Sequence, residues 1–215
     1  MTFHPGALSS ARKVIPMGEL IILRHGETEW SRAHRHTGRT DLPLTEHGEE
    51  QARAVAPLVA GRDVVRAFTS PALRARHTAE LLGLGSAEPD PDLWEWDYGG
   101  YEGRTSAEIR EERPGFYLWR DGIVPGDAEH PGESVEHVGS RVDAVLARVR
   151  PLLQQGDVAL VAHGHLLRIL TARWLGLEPA AGRLFALETG TMSTLGTEHA
   201  HPVITSWNVP PHLPT

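Results

Sequence analysis

The sequence contains no cysteine, so it can form neither a disulfide framework nor a thiolate metal site, which is compatible with a reducing cytoplasm. No apolar run approaches the ~20 residues that span a bilayer, and the first 16 residues lack the apolar segment of a secretory signal. The net charge of -7 argues against general nucleic-acid binding, which needs clustered lysine and arginine. We therefore expect a cytoplasmic protein without membrane or nucleic-acid partners.

Length and composition fit a single globular domain. A chain of 215 residues, 40% hydrophobic and 23% charged, is long enough to bury a sizeable core in one α/β domain. We predict an N-terminal extension at 1–18, one domain at 19–208 and a C-terminal tail at 209–215. The sequence leaves the oligomeric state open, with a homodimer as one option.

Short apolar runs alternate with helical periodicities along most of the chain. This alternation predicts a three-layer αβα sandwich with a mostly parallel sheet and helices on both faces. The expected strands are 19–23, 64–69, 157–162, 183–188, 192–197 and 203–207, and the expected helices are 45–60, 71–82, 106–112, 116–120, 135–152 and 164–175. Proline should kink or shorten the first helix at Pro57, and Ser70 should cap the second. The Pro-, Gly- and Trp-rich segment 87–131 predicts a small cap insertion.

Arginine or histidine follows the predicted strand in three separate blocks, each leading into a helix. Because the carboxyl ends of parallel strands meet at one edge of a sheet, these side chains can converge there. The residues concerned are Arg24, His25, Arg74 and His163. Guanidinium groups and nearby helix starts suit phosphate oxygens, and a neutral imidazole among them is a nucleophile. The pattern suggests a phosphohistidine intermediate.

An alkoxide leaving from phosphorus needs a proton, so a carboxylic acid should face the histidines. The candidates are Glu95, Asp97 and Glu102, in a segment where Trp94 and Trp96 could exclude water from a carboxyl group. A metal site is disfavoured despite the 13 histidines, because their spacing fits no helical ligand pair and the arginines would repel a cation. We expect no metal and no other cofactor.

These blocks resemble the histidine phosphatase superfamily, also called the phosphoglycerate mutase-like family, whose signature matches Arg24-His25-Gly26. The resemblance extends from about residue 19 to 208. It implies that His25 is the phosphorylated nucleophile and that Arg24, Arg74 and His163 bind the phosphoryl group.

The same resemblance implies roles for residues outside the signature. Glu95 matches the family's acid in a Glu-x-x-Tyr-Gly arrangement, so it is preferred over Asp97 as proton donor and then as base for water. Further substrate or phosphate contacts are expected at Thr37, Gly38, Gly164 and Ser31, the last standing where the family often has asparagine.

Within the resemblance, hydrolysis is favoured over a mutase reaction. The cofactor-dependent mutases carry a longer insertion between the segment of the catalytic acid and the second histidine, and they contain two consecutive arginines. This sequence has no Arg-Arg pair. The segment 95–103, which contains the candidate acids, and Ser206-Trp207-Asn208 look similar to segments of a branch that contains broad acid phosphatases and sedoheptulose-bisphosphatase-like enzymes. We therefore expect a metal-independent phosphomonoesterase acting on small phosphorylated metabolites. A 2,3-bisphosphoglycerate-dependent mutase and an inactive phosphate-binding module are the alternatives.

Overall fold

The computed structural model describes residues 17–210, which surround a central sheet of six strands. The strands are β1 (Leu20–Arg24), β2 (Val64–Thr69), β3 (Glu88–Pro89), β4 (Asp157–Ala162), β5 (Met192–Glu198) and β6 (His201–Val209). Their order is β3-β2-β4-β1-β5-β6, in which β1 to β4 run parallel, β5 is antiparallel to β1, and β6 is antiparallel to β5. The prediction of a mostly parallel sheet is confirmed.

Helices cover both faces of this sheet. Those described are α1 (Glu29–Arg32), α2 (Glu46–Ala60), α3 (Leu73–Leu81), α4 (Ser106–Glu112), α5 (Leu118–Asp121), α6 (Val135–Val149) and α7 (Gly164–Trp174). Successive residues of a strand point to opposite faces, so Leu20 and Ile22 of β1 pack with α6 and α7 while Ile21 and Leu23 pack with α2 and α3. The result is the expected three-layer αβα sandwich.

The segment 87–131 contributes to both the sheet and the larger core. Its first residues form β3, which pairs with β2 through Phe68 and Glu88 and therefore extends the sheet. Beyond β3 lie a 3-10 helix (Pro91–Leu93), α4 and α5. Aromatic side chains of this part are buried in the cluster beneath α6 and α7: Trp96, Tyr101, Phe116 and Trp119.

One predicted strand is wrong. Residues 183–188 do not pair with the sheet, and their start belongs to a 3-10 helix, Pro179–Leu184. Side chains of other elements take carbonyls that this strand would present: Arg168 binds that of Arg183, Trp207 that of Ala186 and Arg24 that of Leu187. The sequence run alone does not reveal these competing partners.

The predicted bounds of three helices need correction, and the expected shortening of a fourth at Pro57 is wrong. α3 begins at Leu73 with Ala72 as its N-cap, and the Ser70 hydroxyl lies before the helix, where it contacts the amide of Ala72 at 3.3 Å and the ring of His163 at 2.7 Å. α2 is not shortened by Pro57 and continues to Ala60, so the missing amide hydrogen does not end the helix. The helix predicted at 135–152 ends at Val149 and is followed by a 3-10 turn over Arg150–Gln154, and the one predicted at 116–120 is Leu118–Asp121.

The predicted extension and tail lie largely beyond the described part of the chain. Residues 1–16 and 211–215 are outside it, and β6 reaches Val209, one residue into the predicted tail. Between residues 17 and 210, every helix is too short or too polar to cross a membrane.

Candidate active site

A cavity of about 190 Å³ opens where β1 and β4 end. His25 follows β1 and His163 follows β4, and the centroids of their rings lie 5.2 Å apart in an edge-on arrangement. The cavity is lined by Arg24, His25, Ser31, His34, Arg35, His36, Thr37, Glu95, Tyr98, Gly164, His165, Arg168 and Leu187. Parallel register therefore brings together residues far apart in sequence, as the strand-end argument predicts.

The ring of His25 is held in one tautomer. Its Nδ1 lies 2.7 Å from the carbonyl oxygen of Gly26, which can only accept, so Nδ1 carries the proton and donates. Burial lowers the pKa of His25 well below its usual value, and the charges of Arg74 and Arg24 lower it further. The imidazole is consequently neutral, with an unprotonated Nε2.

The turn that presents His25 requires glycine at the next position. A Cβ on Gly26 would lie 2.1 Å from the carbonyl oxygen of Gly48 in α2, far inside van der Waals contact. The close approach of these two backbones brings the chain back over the sheet edge and fixes the carbonyl that binds the His25 ring.

Arg24 places an unpaired donor in the site. Its Nη1 donates to the carbonyl of Leu187, whereas its buried Nε has no hydrogen-bond partner. A Cβ on Gly164 would lie 3.2 Å from the Arg24 Cζ, so glycine leaves space for the guanidinium plane. Burial lowers the pKa of Arg24, and the charge of Glu95 opposes that shift. A buried, unpaired N–H beside a cavity is a ready partner for an anion's oxygen.

Arg74 and His163 lie behind His25, and neither forms part of the cavity wall. Arg74 donates from Nε to the Nδ1 of His163 at 3.2 Å, and from its Nη atoms to the carbonyls of Thr40 at 2.9 Å and Gly38 at 3.0 Å. Because His163 Nδ1 accepts, its Nε2 carries the proton and donates to the Ser70 hydroxyl at 2.7 Å. Burial and Arg74 lower the pKa of His163 well below its usual value.

Glu95 faces the cavity from the opposite segment and is oriented by backbone amides. Its Oε2 accepts from the amide of His165 at 3.0 Å, and its Oε1 accepts from Leu166 at 2.8 Å and from Trp96 at 2.9 Å. Two of these amides belong to the first turn of α7, where helix N–H groups lack partners within the helix. The carboxyl group is therefore anchored to the helix that begins beside His163.

The two alternative acids are occupied elsewhere. Asp97 accepts from the amide of Gly99 at 3.0 Å and lies 3.8 Å from the Arg39 guanidinium. Glu102 accepts from the amides of Gly38 at 2.9 Å and Thr40 at 3.1 Å, and so closes the 37–40 turn. Neither residue lines the cavity.

The remaining predicted contacts divide into two groups. Ser31, Thr37 and Gly164 line the cavity, although the Ser31 hydroxyl is engaged with the backbone of Thr28 in the cap of α1. Gly38 does not line it. Its amide and carbonyl instead bridge Glu102 and Arg74, which makes it a structural link between them.

Sequence reasoning missed a buried ion pair that fixes the acid segment. Arg141 of α6 binds Glu133 through two hydrogen bonds of 2.9 and 3.0 Å, and their side chains are only 9% and 7% exposed. The same guanidinium donates to the carbonyls of Asp92, Trp94 and Glu95. The available signal was an arginine between Val138 and Val142 on the apolar face of α6.

A second missed group is the neutral wall, formed by His36, Tyr98 and His165. The Tyr98 hydroxyl lies 2.5 Å from Nδ1 of His165, and the rings of His36 and Tyr98 are 4.7 Å apart. Burial lowers the pKa of His36 to about 4 and that of His165 well below its usual value, and it raises the pKa of Tyr98 well above its usual value. All three side chains are uncharged at neutral pH.

Residues 17–210 contain no group of three or more His, Cys, Asp or Glu side chains arranged to hold a metal ion. The site instead combines a neutral imidazole with a free Nε2, a guanidinium with a free N–H, and one carboxyl group on the far side. This combination can bind a phosphoryl group, attack it and exchange a proton with an oxygen.

The sequence matches the model of the histidine phosphatase superfamily (branch 1) over residues 20–210. The chain belongs to the histidine phosphatase superfamily. This match includes every predicted site residue, from Arg24 to Gly164, and confirms the family resemblance of the strand-end blocks.

Relatives in this superfamily carry phosphatase and mutase names. An acid phosphatase of Mycobacterium tuberculosis is 39% identical over 84% of this chain and 87% of the relative, and a sedoheptulose 1,7-bisphosphatase of Saccharomyces cerevisiae is 36% identical over 73% and 67%. A probable phosphoglycerate mutase GpmB of Photorhabdus laumondii is 33% identical over 90% and 91%. The solved structure of a Mycobacterium tuberculosis open reading frame product superposes with a TM-score of 0.84 at 37% identity, covering 91% and 99% of the two chains.

Proposed function

We propose that this histidine phosphatase is a metal-independent phosphomonoesterase that hydrolyses small phosphorylated metabolites, such as sugar phosphates, through a phosphohistidine on His25. The observation that carries the proposal is the tautomer of His25. Its Nδ1–H is bound by the Gly26 carbonyl at 2.7 Å, which leaves Nε2 free and neutral among guanidinium groups. The names of the acid phosphatase and bisphosphatase relatives support the same reaction class.

The reaction follows in two displacements. Nε2 of His25 attacks phosphorus, the phosphorus–oxygen ester bond breaks, and Glu95 gives its proton to the leaving alkoxide. Glu95, now a carboxylate, takes a proton from water, which attacks the phosphohistidine and breaks the phosphorus–nitrogen bond to release phosphate. Arg24 holds the phosphoryl oxygens with its free Nε–H, and Arg74 and His163 support the nucleophile from behind, with positive charge and a fixed ring.

The test is hydrolysis of p-nitrophenyl phosphate by wild type, His25→Ala and a control, His201→Ala, which alters an exposed histidine of β6. We expect His25→Ala to lose roughly 10⁴-fold or more in kcat and the control to keep wild-type activity. Wild-type activity should persist in EDTA. Retained turnover in His25→Ala would remove the nucleophile assignment, and loss of activity in EDTA would indicate metal catalysis.

Trapping distinguishes this function from an inactive binding module. Wild type mixed with labelled substrate and quenched in alkaline detergent should carry one labelled phosphoryl group, absent from His25→Ala. An inactive phosphate-binding module would bind phosphate without forming this species.

The mutase names among the relatives favour one specific second candidate. A phosphoglycerate mutase would interconvert 3- and 2-phosphoglycerate, with dependence on 2,3-bisphosphoglycerate. We expect phosphate release without this interconversion, since the sequence lacks an adjacent arginine pair to hold the glycerate carboxylate. Formation of 2-phosphoglycerate at a rate above phosphate release would overturn the phosphatase assignment.

A further inference from the structure

The neutral wall (His36, Tyr98 and His165) lies on the side of the cavity where a leaving group would depart. The amide of His165 is bonded to Oε2 of Glu95 at 3.0 Å, so the residue sits directly beside the proposed proton donor. All three wall residues line the cavity. An alcohol that is attached to phosphorus and takes its proton from Glu95 would therefore lie next to this wall.

The wall presents hydrogen-bonding groups without charge. Its two imidazoles are neutral and its phenol is protonated. Arg168 is a charged residue that also lines the cavity. Its guanidinium donates to the carbonyls of Gly182 at 3.1 Å and Arg183 at 3.3 Å and lies over the ring of Trp119. A hydroxyl group both donates and accepts hydrogen bonds, so these uncharged donors and acceptors suit a hydroxyl group better than an anion or an alkyl chain.

One tautomer of His165 is enforced by its neighbours. The buried hydroxyl of Tyr98 needs an acceptor for its hydrogen, and Nδ1 of His165 lies 2.5 Å away, so Nδ1 accepts and Nε2 carries the proton. The ring of His165 makes edge-to-face contacts with Trp96 and Trp119, with centroid distances of 6.1 Å and 5.1 Å. His165 thus offers a fixed Nε2–H on a rigid support.

We propose that His165 is a specificity-determining residue that donates its Nε2–H to a hydroxyl oxygen of the substrate's alcohol portion, and that Tyr98 is the positioning residue that fixes its tautomer. The substrate class is then a phosphate monoester of a polyhydroxylated alcohol. This inference rests on the proposed phosphatase function and narrows its substrate.

A matched pair of substrates isolates the hydroxyl groups. Glycerol 3-phosphate and propyl phosphate share chain length and leaving-atom type and differ by two hydroxyls. In wild type, kcat/KM should be higher for glycerol 3-phosphate. The measured quantity is the ratio of the two kcat/KM values, which cancels defects in folding or in the chemical step.

We expect His165→Phe to lower this ratio roughly five- to tenfold, the effect of one hydrogen bond, mainly through KM for glycerol 3-phosphate. His165→Gln, whose amide nitrogen reaches the position of Nε2, should restore part of the ratio. Tyr98→Phe should lower it by about twofold, because the ring can then carry its proton on either nitrogen. The matched control His201→Phe should leave it unchanged.

The outcomes separate this inference from the function beneath it. Wild type that hydrolyses p-nitrophenyl phosphate but neither alkyl ester would refute this inference and leave the proposed function standing, whereas wild type that hydrolyses none of the three would refute the proposed function. Wild type that hydrolyses both, with the same ratio in His165→Phe, would refute the role of His165 alone. Equal losses on both substrates would also overturn it, since they indicate a structural role. If His165→Phe does not fold, Tyr98→Phe and His165→Gln carry the same comparison.

Discussion

Replacing Glu95 by Gln should slow phosphoryl transfer from an alkyl phosphate by roughly 10²–10⁴-fold, the usual contribution of a positioned general acid. The effect should depend on the leaving group. An alkoxide cannot depart without a proton, whereas p-nitrophenolate is stable enough to leave unprotonated. Phosphorylation by p-nitrophenyl phosphate should therefore be far less affected. Water attack also needs Glu95, so the variant should accumulate phosphohistidine.

The same substitution has a calculable cost in stability. Oε1 of Glu95 accepts two backbone amides and Oε2 accepts one, from His165. A glutamine must turn its NH₂ group toward one of these sites, and the less costly choice opposes the single amide of His165. One buried N–H then loses its acceptor, which lowers the free energy of unfolding by about 1–3 kcal/mol.

Rapid mixing with p-nitrophenyl phosphate measures both steps. In Glu95→Gln we expect a burst of p-nitrophenol close to one equivalent, followed by slow turnover, and a large loss of steady-state activity on propyl phosphate. The control is Asp97→Asn, a buried carboxylate from the same segment that lies off the cavity. Loss of the p-nitrophenol burst in Glu95→Gln, or the same burst pattern in Asp97→Asn, would refute the assignment of Glu95 as acid.

Three further predictions concern the supports of the site. Arg141→Met should lower the free energy of unfolding by about 3–5 kcal/mol in urea titrations, because Glu133 is left as a buried, unpaired carboxylate; a loss below about 1 kcal/mol would contradict this. Gly164→Ala should raise the inhibition constant of inorganic phosphate several-fold, since its Cβ would stand 3.2 Å from the Arg24 Cζ and displace the guanidinium proposed to bind phosphate; an unchanged constant would contradict this prediction. Below pH ~6.5 only the unfolded state takes up protons on His25, His36, His163 and His165, because burial lowers the pKa of each in the folded protein. Their contribution to stability in phosphate-free buffer should therefore fall with decreasing pH by about 1.4 kcal/mol per pH unit for each histidine; a flat profile between pH 5 and 6.5 would contradict it.

Most of the sheet could be predicted because its strands are continuous apolar runs with clear ends. The bounds predicted for β2 and β4 coincide with Val64–Thr69 and Asp157–Ala162. The error at 183–188 has a non-local origin, since three carbonyls there are taken by the side chains of Arg168, Trp207 and Arg24 from other elements. The local sequence pattern does not predict which side chain of another element will bind these carbonyls.

The site divides in the same way. Arg24, His25 and His163 follow from the rule that parallel strands deliver their carboxyl ends to one edge, and the structure places them there. The orientation of Glu95 depends on amides about 70 residues away, at the start of α7. Arg74 lies behind His163 and not on the cavity wall, because its guanidinium binds carbonyls of the 37–40 turn. Spacing in the sequence carries neither fact.

In the proposed mechanism, Arg24 and Arg74 act on the nucleophile as well as on the phosphoryl group. Burial lowers the pKa of His25 most, and the charges of Arg74 and Arg24 lower it further, so the positive charge that would attract a phosphate dianion also helps to keep the imidazole unprotonated before the substrate arrives. Once the dianion binds, its charge offsets theirs and favours the positive charge that develops on the imidazole as the phosphorus–nitrogen bond forms. Neutralising either arginine should therefore weaken phosphate binding and raise the pKa of free His25 together. The proposed mechanism therefore couples the protonation of the His25 ring to the charge of the substrate through two buried guanidinium groups.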